Sequence, residues 1–281
     1  LIANEPPAPF EQEEVGDRVY GGRWTEFRPA YDAMKSADLP LPTIYATGYT
    51  EDESQYYILM DYIAGESVRE YMSEADTDED LHRATGATFG KLHTITRDYQ
   101  GWVSMQEPYE TSWGEAYFSA LDNQIGEIES NGYLSPDIVV QLRAFIDSQK
   151  GAWVEPNNFV LSHLDGFQGI ASKQENDWSI DSIIDIEDHQ FTDQRFVLCG
   201  HELAMETEGK KLPDSFWDEY RSTKEIDPTF EQHKTLFKLY YLSVWLCVFK
   251  DESIGDIPNR NEKAEDTIRI IQSLLHTQGL E

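Results

Sequence analysis

The sequence predicts an α+β fold in which a small strand-bearing segment precedes a larger, mainly helical one. Three observations predict it. Short apolar or alternating runs bounded by Pro, Gly and acidic turns lie between Leu39 and Gly65. Two more strand-like runs, Phe159 to Leu161 and Trp178 to Ile184, bracket a loop containing Gly166 and Gly169. Elsewhere apolar residues recur at helical spacing over long stretches. With 281 residues, 40% hydrophobic and 12% aromatic, the chain buries a substantial core as one large domain or two unequal lobes.

Taken in order, residues 1 to 20 read as a brief apolar strand broken at Pro6 and Pro7 and an acidic, loop-like segment. Thr25 then stands as an N-cap ahead of Glu26 and Pro29, opening a helix with Phe27, Ala30, Tyr31 and Met34 on one face. Pro40 and Pro42 hold the next entry extended. A strand from Thr43 to Gly48, an acidic turn at Glu51 to Ser54 and a buried strand from Gln55 to Met60 lead into Asp61-Tyr62-Ile63-Ala64-Gly65.

Leu81, Ala84, Thr88, Leu92 and Ile95 predict an amphipathic helix over Asp80 to Thr96, with His93 as a packed, structural histidine. Further helices are expected over Trp113 to Ile128, over Pro136 to Lys150 with Ile138, Leu142, Phe145 and Ile146 inward, and over Leu198 to Glu208. Residues 216 to 250 read as helical, their aromatic and leucine rows as core. A last helix, Asn261 to His276, turns Ile268, Ile271 and Leu274 or Leu275 inward.

Lys plus Arg number 22 against 53 Asp plus Glu, a formal charge of -31. Such a surface repels nucleic acid and anionic membrane, so neither is an expected partner. The acidic residues are spread along the whole chain, as in proteins of salt-loving organisms, where molar salt screens the self-repulsion. Cys199 and Cys247 are far apart and lack metal-ligand spacing, which predicts two buried free thiols. The apolar run from Leu239 to Phe249 is too short to span a bilayer, and no signal peptide is visible, so a cytoplasmic protein is expected. Nothing in the sequence sets the oligomeric state.

Chemistry concentrates in residues 159 to 191, FVLSHLDGFQGIASKQENDWSIDSIIDIEDHQF. Asp165 follows the first apolar run, and Asp185 ends the second, with Glu187 and Asp188 close behind. The two carboxylates are expected to face one another across a small sheet. Phosphoryl transfer to a hydroxyl needs such a pair, one to take the proton and one to hold the magnesium that bridges the nucleotide phosphates. In a chain this acidic, turn and strand-end aspartates without a function give the same pattern.

HLD at 163 to 165 and IIDIED at 183 to 188 resemble the aminoglycoside phosphotransferase and choline kinase-like family. Its usual form is HGD, an Asn five residues later, and I-D-W/F-E. The resemblance implies a protein-kinase-like two-lobe fold, with a small α/β lobe over residues 1–65 whose opening strands are expected upstream of Leu1, and a helical lobe over 66–281. It implies Asp165 as catalytic base, His163 as the histidine that braces the loop and Asp185 as a metal ligand, with Glu187 or Gln168 as further oxygen donors. The Leu39 to Val68 stretch resembles the family's hinge, which implies that Met60, Asp61 and Ile63 border the adenine. Glu26 then corresponds to the helix glutamate that pairs with a phosphate-binding lysine. ATP and Mg²⁺ are the implied cofactors, and the partner is a small-molecule acceptor such as an aminoglycoside-like antibiotic, an amino alcohol or a sugar.

Four departures stand against strict agreement: Leu164 replaces the glycine, Ile170 the asparagine and Val197 the second aspartate of G-D-P-x-x-D, and no lysine precedes Lys35. They keep open an alternative, a non-catalytic relative that binds a nucleotide or small molecule.

Overall fold

A computed structural model describes residues 24–49, 56–68, 79–164, 166–174, 177–255 and 257–279. The expected opening strand and the acidic turn at residues 51–54 lie outside them. Internal packing separates two compact units, one made of the described residues up to Tyr109 with Asn157–Ile226 and the other of Glu110–Pro156 with Asp227 onward. The expected lobe boundary after residue 65 falls inside the first of these.

In the first unit, α1 (Trp24–Ser36) buries Phe27, Ala30, Tyr31 and Met34, the face that the spacing predicts. The helix begins one residue before the expected cap at Thr25, so Pro29 lies beyond its first turn. The Tyr31 hydroxyl donates to the Pro42 carbonyl at 2.9 Å, fixing the helix to the extended entry. Strands β1 (Ile44–Tyr49) and β2 (Tyr56–Met60) form the antiparallel hairpin that the sequence predicts. β3 (Glu66–Ser67) pairs with β7 (Gly169–Gln174), which pairs with β8 (Asp177–Ile183). A separate four-stranded sheet has the order β4 (Thr96–Arg97), β6 (Phe159–His163), β9 (His189–Thr192), β5 (Gly101–Trp102).

The helix expected to reach Thr96 ends as α2 (Glu79–Leu92). Residues 96 and 97 form β4 because Thr96 and Arg97 pair with Val160 and Phe159, and a ladder against a buried strand outweighs one more helical turn. His93, just past the end of α2 with its N–H still donating to the Phe89 carbonyl at 3.0 Å, is fully buried and shares hydrogen bonds with the Tyr220 hydroxyl (2.6 Å) and Ser162 Oγ (3.2 Å). Burial, together with Lys224, His189 and His201, holds its pKa well below that of free histidine, which fits the structural role.

α2 packs closely on α6 (Asp214–Thr223), and α5 (Gln194–Thr207) packs on β6. Gly86 makes the α2–α6 approach possible: a Cβ there would stand 2.3 Å from the Phe216 carbonyl oxygen, a backbone atom that cannot swing aside. Gly86→Ala should therefore destabilise the protein by about 1–3 kcal/mol, more than the roughly 1 kcal/mol that alanine returns in helix propensity. The urea midpoint checks this, and an unchanged or raised midpoint would refute the close-approach argument.

The second unit is helical, with α3 (Trp113–Asn131), α4 (Pro136–Lys150), α7 (Phe230–Lys250) and α8 (Arg260–Thr277). Ser112 and Glu115 cap α3 reciprocally, and Gly132 ends it in the left-handed conformation. The stretch read as helical from residue 216 onward is two helices, broken around Asp227-Pro228. Leu236, Phe237, Leu239, Tyr240, Leu242 and Leu246 of α7 are buried, so its aromatic and leucine rows are core. On α8, Ile271 and Leu275 face inward, and Ile268 is half-buried. Cys199 and Cys247 are both buried and free.

Candidate active site

The site is assembled by the pairing of β6 with β9. Val160 pairs with Thr192, and the ladder ends where His163 meets His189. Because β9 directly follows the Ile186–Asp188 turn, this register brings that turn to the end of β6, with Asp188 Oδ2 3.9 Å from His163 Nε2. The sequence expectation put the two acidic strand ends on one small sheet. The structure corrects it: β6 and β8 belong to different sheets, and the short β9, whose four residues carry little pattern of their own, makes the connection.

Asp165 itself lies outside the described residues. Its neighbours are well placed. His163 is buried at the end of β6, with its ring 5.5 Å from that of His189 and its Nε2 3.9 Å from Asp188 Oδ2. Gly166 takes φ 88°, a conformation suited to glycine, and its N–H donates to the His163 carbonyl at 3.2 Å, closing a tight turn.

Asp185 also has a left-handed backbone, φ 52° and ψ 45°, and leads into a short 3₁₀ turn, Ile186–Asp188. Aspartate tolerates this region better than most residues, yet such conformations concentrate where a side chain must be aimed. His189 Nδ1 lies 3.0 Å from the Asp185 carbonyl oxygen. Burial first, and His163 next, pull the His189 pKa down to about 3, so its ring is neutral and Nδ1–H can donate to that carbonyl. The Asp185 side chain is exposed. Glu187 is half-buried, and burial, with Asp188 and Asp185 adding repulsion, raises its pKa.

Three carboxylates in four residues, one exposed and one reluctant to ionise, suit a hard divalent cation that accepts a few carboxylate oxygens and completes its shell with water and phosphate. Among the described residues no group of three His, Cys, Asp or Glu side chains is arranged to hold a metal. Gln168 is buried, and its backbone carbonyl accepts the Ile184 N–H at 3.2 Å, which ties the loop to the strand leading to Asp185. Ile170, where the resembled motif has asparagine, is a β7 residue paired with Ser67.

On the hinge side, Met60 ends β2 and is half-buried. The Asp61 N–H donates to the Thr43 carbonyl at 3.0 Å, and its carboxylate accepts from the Thr43 N–H at 3.1 Å and the Tyr45 hydroxyl at 2.5 Å. These bonds, Thr43 before Tyr45, hold the Asp61 pKa below the usual carboxylate value. Asp61 therefore fixes the strand exit. Ile63, two residues on, is half-buried, and the side chains of Leu59 and Tyr62 are exposed.

α1 packs against the Ile186–Asp188 turn, so the structure does bring the Glu26 helix to the site. The Glu26 carboxylate, only 3% exposed, accepts hydrogen bonds from the Ser104 N–H (2.8 Å) and hydroxyl. Lys35 reaches over the Tyr31 ring at 5.8 Å.

Two features escaped the sequence reading. Arg195 is fully buried and bonded through Nε and a terminal nitrogen to Asp193, the N-cap of α5. His201, one turn beyond Val197 on the same helix, lies against Gly166. The only signal for the first was the Asp-x-Arg spacing at a helix start, and for the second the helical spacing from 197.

No curated protein matches the sequence. Solved structures do. A candidate fructosamine-3-kinase of Thermobifida fusca YX-ER1 shares 14% identity with a TM-score of 0.55, covering 88% of this chain and 80% of its own. A candidate aminoglycoside phosphotransferase of Ralstonia eutropha JMP134 shares 12% with a TM-score of 0.64, covering 90% and 83%. A thermostable mutant of aminoglycoside phosphotransferase APH(4)-Ia, solved with AMP-PNP and hygromycin B, shares 13% with a TM-score of 0.55, covering 89% and 82%. At these identities the likeness establishes the fold, α+β and kinase-like. The family profile described as fructosamine kinase matches residues 29–260. The chain belongs to the fructosamine kinase family and is a small-molecule phosphotransferase of the kinase-like fold.

Proposed function

We propose that this protein transfers the γ-phosphate of ATP to a hydroxyl of a fructosamine, the ketoamine formed between a sugar and an amine. The observation that carries this reading is the His163–His189 register, which brings the turn after Asp185 to the end of β6, in a chain matched over 29–260 by the fructosamine kinase profile. Asp165 accepts the proton of the acceptor hydroxyl as its oxygen attacks the γ-phosphorus. The bond from that phosphorus to the β-bridging oxygen breaks, and ADP departs with the electron pair. His163, anchored at the strand end, braces the loop. A magnesium ion held by Asp185, with Glu187 or Gln168 as further oxygen donors, would neutralise charge on the β- and γ-phosphates. Met60 and the backbone at Asp61 and Ile63 border the adenine, within a nucleotide-binding part reaching to about residue 65, and the remainder carries the transfer motifs and the acceptor. Glu26 is held in reserve by Ser104 for a phosphate-binding cation. No helix among the described residues is long and apolar enough to cross a membrane.

The test is release of ADP from ATP and Mg²⁺ in molar KCl, with a synthetic fructosamine offered and hygromycin B as a control acceptor. The expected result is fructosamine-dependent ADP release matched by a phosphorylated ketoamine. Release that is indifferent to the fructosamine would reject the acceptor assignment. Asp185→Asn should weaken MgATP binding on the order of tenfold, about 1.4 kcal/mol, while leaving metal-free ATP binding near wild type. Thermal unfolding with each ligand reads this, since saturation at a hundred times Kd stabilises by about 2.7 kcal/mol. Equal losses for both ligands would remove Asp185 from the metal.

A further inference from the structure

We propose that Arg97 is a positioning residue for the acidic turn that follows Asp185: it shapes the 99–105 loop into a clamp on Glu26, and through that clamp and a ring contact it holds the Ile186–Asp188 turn in place for the metal. The inference rests on the functional reading above. Arg97 ends β4 and is half-buried. Its Nε donates to the Tyr99 carbonyl at 3.0 Å, one terminal nitrogen to the Trp102 and Met105 carbonyls at 3.1 and 3.2 Å, and the other to the Gly101 carbonyl at 3.0 Å. The Tyr99 hydroxyl also donates to the Met105 carbonyl, at 3.0 Å. One rigid, planar group thus gathers four carbonyls of the loop.

Two routes lead from this fork to the turn. On the first, the loop places Ser104 so that its N–H (2.8 Å) and its hydroxyl both donate to the Glu26 carboxylate, and α1, which carries Glu26, packs against the turn and against β9. On the second, the guanidinium carbon lies 4.3 Å from the centre of the Phe191 ring and 3.9 Å from that of Tyr99. Phe191 belongs to β9, which starts directly after the turn, and it pairs with Gly101 of β5.

Closing the loop does not by itself account for this arrangement. Ser104 is exposed, and its donors could turn to water, yet both meet a carboxylate that is only 3% exposed and that burial would otherwise penalise. Burial lowers the Arg97 pKa, while Tyr99, Tyr109 and Glu26 counter it, so the guanidinium and the carboxylate that its loop holds also attract one another. Lysine keeps the charge but carries a single ammonium group in place of the fork, and cannot reach all these carbonyls and stack on two rings from one position.

The test compares Arg97→Lys, Ser104→Ala and the double variant with the wild type in molar KCl. Hydrogen exchange over residues 24–36, 99–105, 186–192 and, as an internal control, 230–250 is measured for each, together with Tm and the Kd values of metal-free ATP and MgATP. Arg97→Lys should exchange faster over the first three segments and as wild type over 230–250. It should weaken MgATP binding on the order of tenfold, with metal-free ATP within about twofold, because a displaced supporting group acts on the metal and not on the nucleotide. Ser104→Ala should show a smaller change of the same kind, and the double variant should lose less than the product of the two, since both act through one clamp. Wild-type exchange over 186–192 in Arg97→Lys would overturn the inference, as would equal losses for ATP and MgATP, which a merely structural role would give. If Arg97→Lys does not fold, Ser104→Ala carries the same comparison. If the wild type binds MgATP no better than ATP, the metal reading fails on its own, and the exchange over 186–192 still decides whether Arg97 holds the turn.

Discussion

Asp165→Asn is expected to lower kcat about 10²- to 10⁴-fold, the usual contribution of a positioned general base. KM for ATP and the midpoint of thermal unfolding should stay near wild type. Asparagine has nearly the shape of aspartate and retains a carbonyl oxygen that can still orient a hydroxyl, but it cannot take a proton at neutral pH. The backbone on either side has ties of its own, His163 through its register with His189 and Gly166 through its bond to the His163 carbonyl. The loss should therefore appear in turnover and not in folding. Steady-state kinetics with ATP and a fructosamine, alongside ATP-induced stabilisation of the unreactive variant, separate the two. Unchanged turnover would exclude Asp165 as the base, and a large drop in Tm accompanying the loss would recast it as a structural residue of the turn.

The parts of this arrangement that were legible in the sequence are those where local pattern and tertiary demand agree. The α1 face of Phe27, Ala30, Tyr31 and Met34 is one such case, because the spacing that makes the helix amphipathic is the spacing that buries it. The β1–β2 hairpin is another, with prolines before it and acidic residues between its strands in the sequence. Long-range pairing was not legible. The strands β4, β5 and β9 have two to four residues each and exist because β6 offers a buried partner, so nothing within Thr96–Arg97 or His189–Thr192 announces them. That omission made the site geometry come out wrong: Asp165 and Asp185 were expected at the ends of strands sharing a sheet, and the connection runs instead through β9. The motif residues were legible because HLD and IIDIED resemble a known pattern. The neighbours His201, against Gly166, and Arg195, bonded to Asp193, became visible only once distant segments were packed together.

Asp193→Ala should cost about 3–5 kcal/mol in unfolding free energy, the range for removing one partner of a buried ion pair. Arg195 and Asp193 are both essentially inaccessible to water. The Asp193 carboxylate accepts the Arg195 backbone N–H at 2.8 Å, Nε at 3.0 and 3.1 Å, and a terminal guanidinium nitrogen at 2.6 Å. Alanine would remove the N-cap of α5, a loss of about 1 kcal/mol by itself, and would leave a guanidinium buried that has no neutral form at accessible pH. The double variant Asp193→Ala with Arg195→Met should recover much of the loss, because an apolar side chain of similar length replaces the buried charge. Urea unfolding of the single and double variants measures both values, and a single-variant loss under about 1 kcal/mol would show that other groups satisfy Arg195 without the aspartate. The consequence reaches beyond stability. α5 starts directly after β9 and packs on β6, so a loosened helix start disturbs the ladder that brings His189 to His163. Turnover of Asp193→Ala should therefore fall well below wild type even at temperatures where the variant remains folded, and the double variant should regain stability more fully than turnover.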